Sequence, residues 1–502
     1  MAPSFSAADT PPPCAASSSF LRQLALGIAR AWLVAAIAFA LVLGAGWLAI
    51  HTDANRLRAN IARGIADGAI PVTDTPDPHG AAGIHPLNEC LIYLMVGLRS
   101  SDRFRNALSP LAPIEFRNDS PKRATGGLPA ICPKLRAWAL TGRATFPVAY
   151  YDRYLHGHRL LATLTVLTLG ARRTRVLLTD LCYMLVIGLV FVNLAGIPAR
   201  LGRRMPSTTL LPPHVRHLSF AVIGLWLLCA CGMPAFAPLL SHAPSMILLF
   251  VLLLLGGCLD WQHMPIGRME YVMAAFGTLT CIFEFLIGSL PLMAGAVLLI
   301  VGCAVGRGSW RQEGRRPADA MVAFGTGFLA ILVIKQIVVV AVDPDEFFAF
   351  MQSLAVRMGS RPHDWGVAQH IGLRTVMDAL RWKLDVILPL PERWRYVIVL
   401  ATAAQGVVSI LVTVRARRDL MPLVLFTLSA AMPLLWYPLF PDHTVEHARF
   451  MVRMLVWPMG MASVLMIVAL HATLSARAST GDGVRSLAGR RNRGAGAYPP
   501  AA

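Results

Sequence analysis

Apolar runs of about 20 residues recur along the whole chain, each long enough to cross a hydrocarbon core of roughly 30 Å. No other sequence feature restricts the fold as much. Backbone in lipid must satisfy its own hydrogen bonds, so runs of this length fold as spanning helices. Composition agrees: 56% of the 502 residues are hydrophobic and only 15% are charged. That is too little charge to cover the surface of a soluble enzyme of this size. The sequence predicts an all-α polytopic membrane protein.

The connections between runs set the expected path. Residues 1–27 read as a disordered cytoplasmic N-terminus, rich in Pro, Ser and Ala near its start. The first transmembrane helix is expected at 28–50, too long for a signal-peptide core and without a convincing cleavage site. Residues 51–175 form a large polar loop that ends in HRLLATLTVLTLG (158–170), a run too short to span and read as a re-entrant or interfacial helix. Helices two to seven are expected within 176–341 and helices eight to ten within 396–474. A second outer loop at 342–395 carries two amphipathic stretches, FFAFMQSLAVRM and GLRTVMDALRWKLDVIL, and a basic tail occupies 475–502.

Arginines alternate with these connections. Arg200, Arg203 and Arg204 occupy one, Arg307, Arg311, Arg315 and Arg316 the next of its kind, then Arg415, Arg417 and Arg418. The short connections 240–243 and 289–290 have no Lys or Arg. By the positive-inside rule, about ten spans result, with both termini in the cytoplasm. The net charge of +19 is thereby assigned to topology rather than to nucleic acid, since no basic groove lined with aromatics is visible. Nine cysteines show no CxxC pairs and no zinc-type spacing. Most lie in apolar runs as small buried residues; Cys90 and Cys132 share the first loop and can pair if it faces an oxidising compartment. Arginine far outnumbers lysine and the loops are rich in Ala and Pro, which suits a bacterial inner membrane protein from a G+C-rich genome.

Four polar constellations stand out, all on the expected extracytoplasmic side. Glu89, in HPLNECLIYLMVGL (85–98), is either a helix-start carboxylate or a general base. Asp53 is its rival, with a solvated helix cap as the plainer reading. In YYDRYLHGHR (150–159), Arg153, Tyr154, His156 and His158 either anchor the interface or offer donors to a phosphate at headgroup depth. Glu284 and Lys335 lie inside apolar runs, where each costs a few kcal/mol unless paired or facing a cavity, and they are candidates to pair with each other. In PDHTVEHARFMVRML (441–455), His443 and His447 are four apart and share a face if a helix starts at an Asp442 cap. No third metal ligand is evident there. Arg453 lies one to two turns deeper and needs an anion, a carboxylate or water. The cytoplasmic halves of the spans read as almost wholly apolar, and no internal repeat is evident, which weakens a transporter reading.

The order YxRYxHG, F[DE]FL before a Pro-containing span, a Lys-bearing span and HTxxHxxFxxR resembles bacterial multi-spanning glycosyltransferases of GT-C type, including arabinofuranosyltransferase-like members. The resemblance covers most of the chain as motif order, though each motif is short. It implies a GT-C-like fold and transfer of a sugar from a polyprenyl-phosphate donor to an extracytoplasmic glycan or protein acceptor. A carboxylate of the first outer loop would act as base, a role that falls on Glu89 and then Asp53. The acidic pair usual in that family is absent, since Glu89 follows Asn88. Arg153, Tyr154, His156, His158, Glu284, Lys335, His443, His447 and Arg453 would bind substrate. The chemistry permits a divalent metal, but nothing in the sequence demands a cofactor. The alternative from another class is a transporter or flippase for a lipid-linked glycan.

Overall fold

The computed structural model describes residues 13–75, 86–114, 130–152, 155–201, 211–283, 288–306, 314–357, 372–415 and 420–493. The first helix, α1 (Pro13–Ile50), is longer than expected. Residues 13–27 are helical rather than disordered, a correction with a local reason. Pro13 occupies a position where its missing N–H costs nothing, and residues 14–26 contain no Gly or Pro.

The loop after α1 is a small folded layer. It contains α2 (Ala54–Ala66), α3 (Pro86–Gly97), α4 (Arg103–Leu108), β1 (Leu111–Pro113), α5 (Ile131–Thr141), β2 (Val148–Tyr150) and α6 (Gly157–Leu169). β1 and β2 pair antiparallel with Leu111 opposite Tyr150. A disulfide joins Cys90 on α3 to Cys132 on α5, Cα to Cα 5.1 Å. At 13 residues α6 rises about 20 Å and is too short to span.

The bundle continues with α7 (Ala171–Leu201), α8 (Pro213–Ala230), α9 (Met233–Phe236), α10 (Ala243–Cys258), α11 (Ile266–Phe283), α12 (Ser289–Cys303) and α13 (Arg315–Val342). A second outer segment holds α14 (Asp345–Arg357), α15 (Leu373–Arg381) and a 3-10 turn (Leu384–Val386). Then come α16 (Glu392–Arg415), α17 (Leu420–Leu439), α18 (Pro441–Glu446), α19 (Ala448–Met451), a 3-10 turn (Val452–Leu455) and α20 (Val456–Arg493).

Among the described residues, 7 helices are long and apolar enough to cross a membrane. They are Leu21–Ile50, Ala171–Ile197, Pro213–Ala230, Arg315–Val342, Glu392–Arg415, Leu420–Leu439 and Ala448–Ser475. The chain is therefore an all-α polytopic membrane protein. Of the other expected spans, α10 (16 residues) and α12 (15 residues) are apolar but rise only about 22–24 Å, and α11 carries Arg268 and Glu270 in its first turns.

α11 and α13 run side by side in the same direction with very close backbones. Thr278 Oγ1 donates to the Gly327 carbonyl at 3.1 Å, and a side chain at Gly277 would strike the Phe324 carbonyl. Close approach at small residues is how helices associate where no hydrophobic force separates protein from lipid. α1 lies against both, and its length separates two ends of the bundle. Its C-terminal part meets the folded loops, since Gly46 abuts Ala107. Its N-terminal part meets Glu270 near Gly27. These ends are the loop face and the opposite face.

The opposite face is not apolar, which corrects the sequence expectation. Glu270 is buried and salt-bridged to Arg30 of α1. Asp319 on α13 is buried in an ion pair with Arg315 at 3.5 Å. Arg316 donates to the carbonyls of Gln262 and Met264, and His217 Nδ1 bonds Asn193 Oδ1 at 2.9 Å. Positions 270 and 319 stand near helix starts, where charge is expected to meet water rather than to pack inside.

Candidate functional site

The loop face brings distant segments together around Glu89. This carboxylate is buried in the first turn of α3. Its Oε1 accepts from Ser241 N at 2.8 Å and Ser241 Oγ at 2.6 Å; its Oε2 accepts from Leu240 N at 3.1 Å. Three of its roughly four acceptor positions are used, leaving one on Oε2. Burial pushes its pKa above the ordinary carboxylate range, against the opposing pull of the Ser241 hydrogen bonds. Arg175 lies within electrostatic reach but forms no salt bridge with it among the described residues. Tyr93, one turn along α3, has a buried hydroxyl without a hydrogen-bond partner, near the same two charges. The Cys90–Cys132 bridge fixes the turn that carries Glu89.

The Ser241 turn leads directly into an aromatic and basic cluster. The buried His242 ring lies 5.2 Å from Phe236 and 5.0 Å from Phe450. Phe450 is in turn 5.8 Å from His447, whose ring is 4.4 Å from that of His443. Arg453, also buried, lies over the Phe236 ring at 5.3 Å. A cavity of about 10 Å³ beside it is lined by Arg453, Ser245 and Ser289 among others, room for about one water. α15 roofs this cluster, burying Val376 and Leu380 against α18 and α19 while Leu373, Met377 and Trp382 remain exposed.

His158 closes the other side. It hydrogen-bonds the Ser241 backbone, its ring edge faces Phe283 at 5.9 Å, and its buried Nε2 has no hydrogen-bond partner. Burial lowers its pKa to about 4. His156, two residues earlier, has φ 55, a left-handed backbone uncommon outside Gly. Its Nε2 bonds the Tyr151 carbonyl at 2.8 Å. Burial, with Lys335 next, holds its pKa well below the usual value. Gly157 is required between these histidines because a Cβ there would strike Ile282.

Lys335 is fully buried within α13, and Asp152 is a carboxylate within its electrostatic reach. Arg105 bonds Asp152 and Asp343 at 3.0 Å each, linking the first loop to the end of α13. Arg153, Tyr154 and Glu284, all expected substrate residues, lie outside the described residues, so the expected Glu284–Lys335 pair lies outside them too. Asp53 is the N-cap of α2, exposed, accepting from Asn55 N and Arg56 N at 3.0 Å each. That geometry gives it a capping role and leaves Glu89 as the buried carboxylate at the cluster.

One helix boundary differs from expectation. α18 begins at Pro441 with Phe440 in the cap position, and the helix breaks at His447. The two histidines meet across that break rather than along one continuous helix face. Among the described residues no three His, Cys, Asp or Glu side chains gather closely enough to hold a metal ion.

Ser241 and His242 were missed by sequence reasoning. Both occupy a connection notable there only for its lack of Lys and Arg, and the turn acquires meaning once Glu89 docks on it. Asp152 belonged to a quoted motif but gave no sign of its pairing with Arg105, which is forty-seven residues away. No family model matches the chain, and comparison with characterised proteins and with solved structures returned no match.

Proposed function

We propose that the protein is a membrane glycosyltransferase of GT-C type, moving a sugar from a polyprenyl-phosphate donor to an extracytoplasmic glycan or protein acceptor. The observation that carries this reading is the gathering of Glu89, His158, His242, His443, His447 and Arg453 around one turn of the loop face. In this reading the chain crosses the bacterial inner membrane about ten times, both termini are cytoplasmic and the loop face is periplasmic. A disulfide in that layer suits an oxidising compartment.

The chemistry needs few parts. An acceptor hydroxyl attacks the anomeric carbon while the bond from that carbon to the phosphate oxygen breaks, with inversion. The hydroxyl proton passes to Glu89, which burial makes a better proton acceptor than a carboxylate in water. The departing polyprenyl phosphate keeps the bonding electron pair, and Arg453 with the neighbouring histidines meets its charge. Aromatic walls at Phe236 and Phe450 exclude water and strengthen that attraction.

The test is turnover of purified wild-type and Glu89→Gln protein with radiolabelled polyprenyl-phosphate sugars. Loss of about a hundredfold or more is expected, in line with general-base removal. Undiminished turnover would exclude Glu89 from the mechanism. A lipid-linked-glycan flippase is the second reading, favoured by the buried charges at the opposite face, Glu270 and Asp319. The tight α11–α13 packing between the two faces opposes a path there. Movement of a lipid-linked glycan in vesicles without covalent product would favour the flippase.

A further inference from the structure

Next to His158 on α6, Arg159 lies within electrostatic reach of Arg99; Arg159 bonds Asn106 and Arg99 bonds Ala49, and the neighbouring Ala107 and Gly46 abut each other. Arg159 is buried; its Nη1 donates to the Asn106 carbonyl at 2.6 Å and its Nη2 to Asn106 Oδ1 at 3.4 Å. Arg99, half-buried, donates to the Ala49 carbonyl at 2.8 Å and to Thr52 Oγ1 at 3.1 Å. All of these acceptors are neutral. The Nε atoms of both arginines and Nδ2 of the buried Asn106 have no hydrogen-bond partner, and among the described residues neither arginine forms an ion pair.

Burial and the neighbouring Arg99 charge lower the Arg159 pKa to about 10, with no carboxylate opposing. Arg105, adjacent to Asn106, shows the ordinary arrangement, for it meets both Asp152 and Asp343. A buried guanidinium left uncompensated is unfavourable, and two of them repel. Such a set is stable when an anion completes it.

We infer that Arg99, Arg159 and Asn106 form a binding site for a phosphoryl group, separate from the Arg453 cluster. Guanidinium forks match phosphate oxygens two at a time, and the amide supplies further donors. The level in the molecule also fits. Ala49 and Thr52 mark the loop-face end of α1, where a spanning helix meets lipid headgroups. The site does not depend on the transferase reading.

The test uses the full chain in detergent, with thermal unfolding followed by tryptophan fluorescence. One arm adds inorganic phosphate against sodium chloride at equal ionic strength. The other dopes the micelles with phosphatidic acid, against diacylglycerol as the phosphate-free control. A rise in wild-type midpoint with inorganic phosphate supports a free phosphoryl ligand; a rise with phosphatidic acid alone supports a lipid headgroup. Arg159→Gln and Arg99→Gln should each weaken the response about tenfold or more, while Arg159→Lys retains part of it. Without probe, Arg99→Gln should unfold at or above the wild-type midpoint, because a like charge within electrostatic reach of Arg159 is removed. No response to either probe in wild type, or equal responses in wild type and both Gln variants, overturns the site.

Discussion

Glu270 at the opposite face and Glu89 at the loop face are both buried carboxylates, yet their surroundings differ in kind. Glu270 is paired with Arg30, and its neighbour Asp319 with Arg315. Those charges are matched locally and join α1, α11 and α13. Glu89 is held by two backbone amides and a hydroxyl, with Arg175 near but not bonded. Around it lie His158, His242 and Arg453, and next to His158 on α6 is Arg159, within electrostatic reach of Arg99. Burial of charge alone therefore does not mark a site. What separates the two ends is how the carboxylate is answered, by an arginine at Glu270 and by neutral donors at Glu89.

The sharpest way to break this contrast is to remove each carboxylate in turn. Glu89→Gln should cut turnover about a hundredfold or more, whereas Glu270→Gln should leave turnover within about threefold. Glu270→Gln should instead lower stability by about 1–3 kcal/mol, less than a fully buried pair because Arg30 is partly exposed. Chemical denaturation and turnover on the same preparations separate the two effects. Equal loss of turnover in both variants would erase the distinction.

Next in size is the disulfide. Cys90→Ser with Cys132→Ser should lower the stability of the loop layer by about 2–4 kcal/mol, from loss of a 42-residue cross-link. Hydrogen exchange should rise in α3 and α5 and stay unchanged in α11 and α13.

A smaller effect concerns pH. The His158 pKa falls from 6.5 to about 4 on folding, so the unfolded chain binds the proton first as pH drops. Stability from this group is present above about 6.5 and declines towards about 4, by roughly 1–3 kcal/mol. His158→Gln should flatten that part of the acid limb while leaving the His156 contribution in place. Glu89 acts with the opposite sign, since its raised pKa makes stability fall as pH rises through the window above the ordinary carboxylate value. The smallest change expected is at Asp53: Asp53→Ala removes a helix cap, with about 1 kcal/mol of local stability lost and turnover kept.

Much of this architecture is legible in the sequence because lipid imposes a simple rule on apolar length. The first span, expected at 28–50, ends where α1 ends at Ile50, and the short run 158–170 corresponds to α6, Gly157–Leu169. Glu89 and Arg453 announce themselves as charges where hydrophobicity prevails. Residues whose meaning is tertiary do not. Ser241 is an ordinary turn residue until Glu89 reaches it from 152 positions away. Arg99 and Arg159 look like interfacial arginines, and only their neutral acceptors and unpartnered Nε atoms set them apart. Glu270 was hidden for the opposite reason, since it stands near a helix start where charge is expected to meet water.

The most direct test is a cryo-electron microscopy map of the full chain in a lipid nanodisc. Density is expected to place the Glu89 carboxylate on the 240–241 amides, with the His242 ring against both Phe236 and Phe450 and Arg453 over Phe236. A map in which Glu89 points to bulk solvent, or in which Arg453 lies in a separate compartment from it, would contradict it.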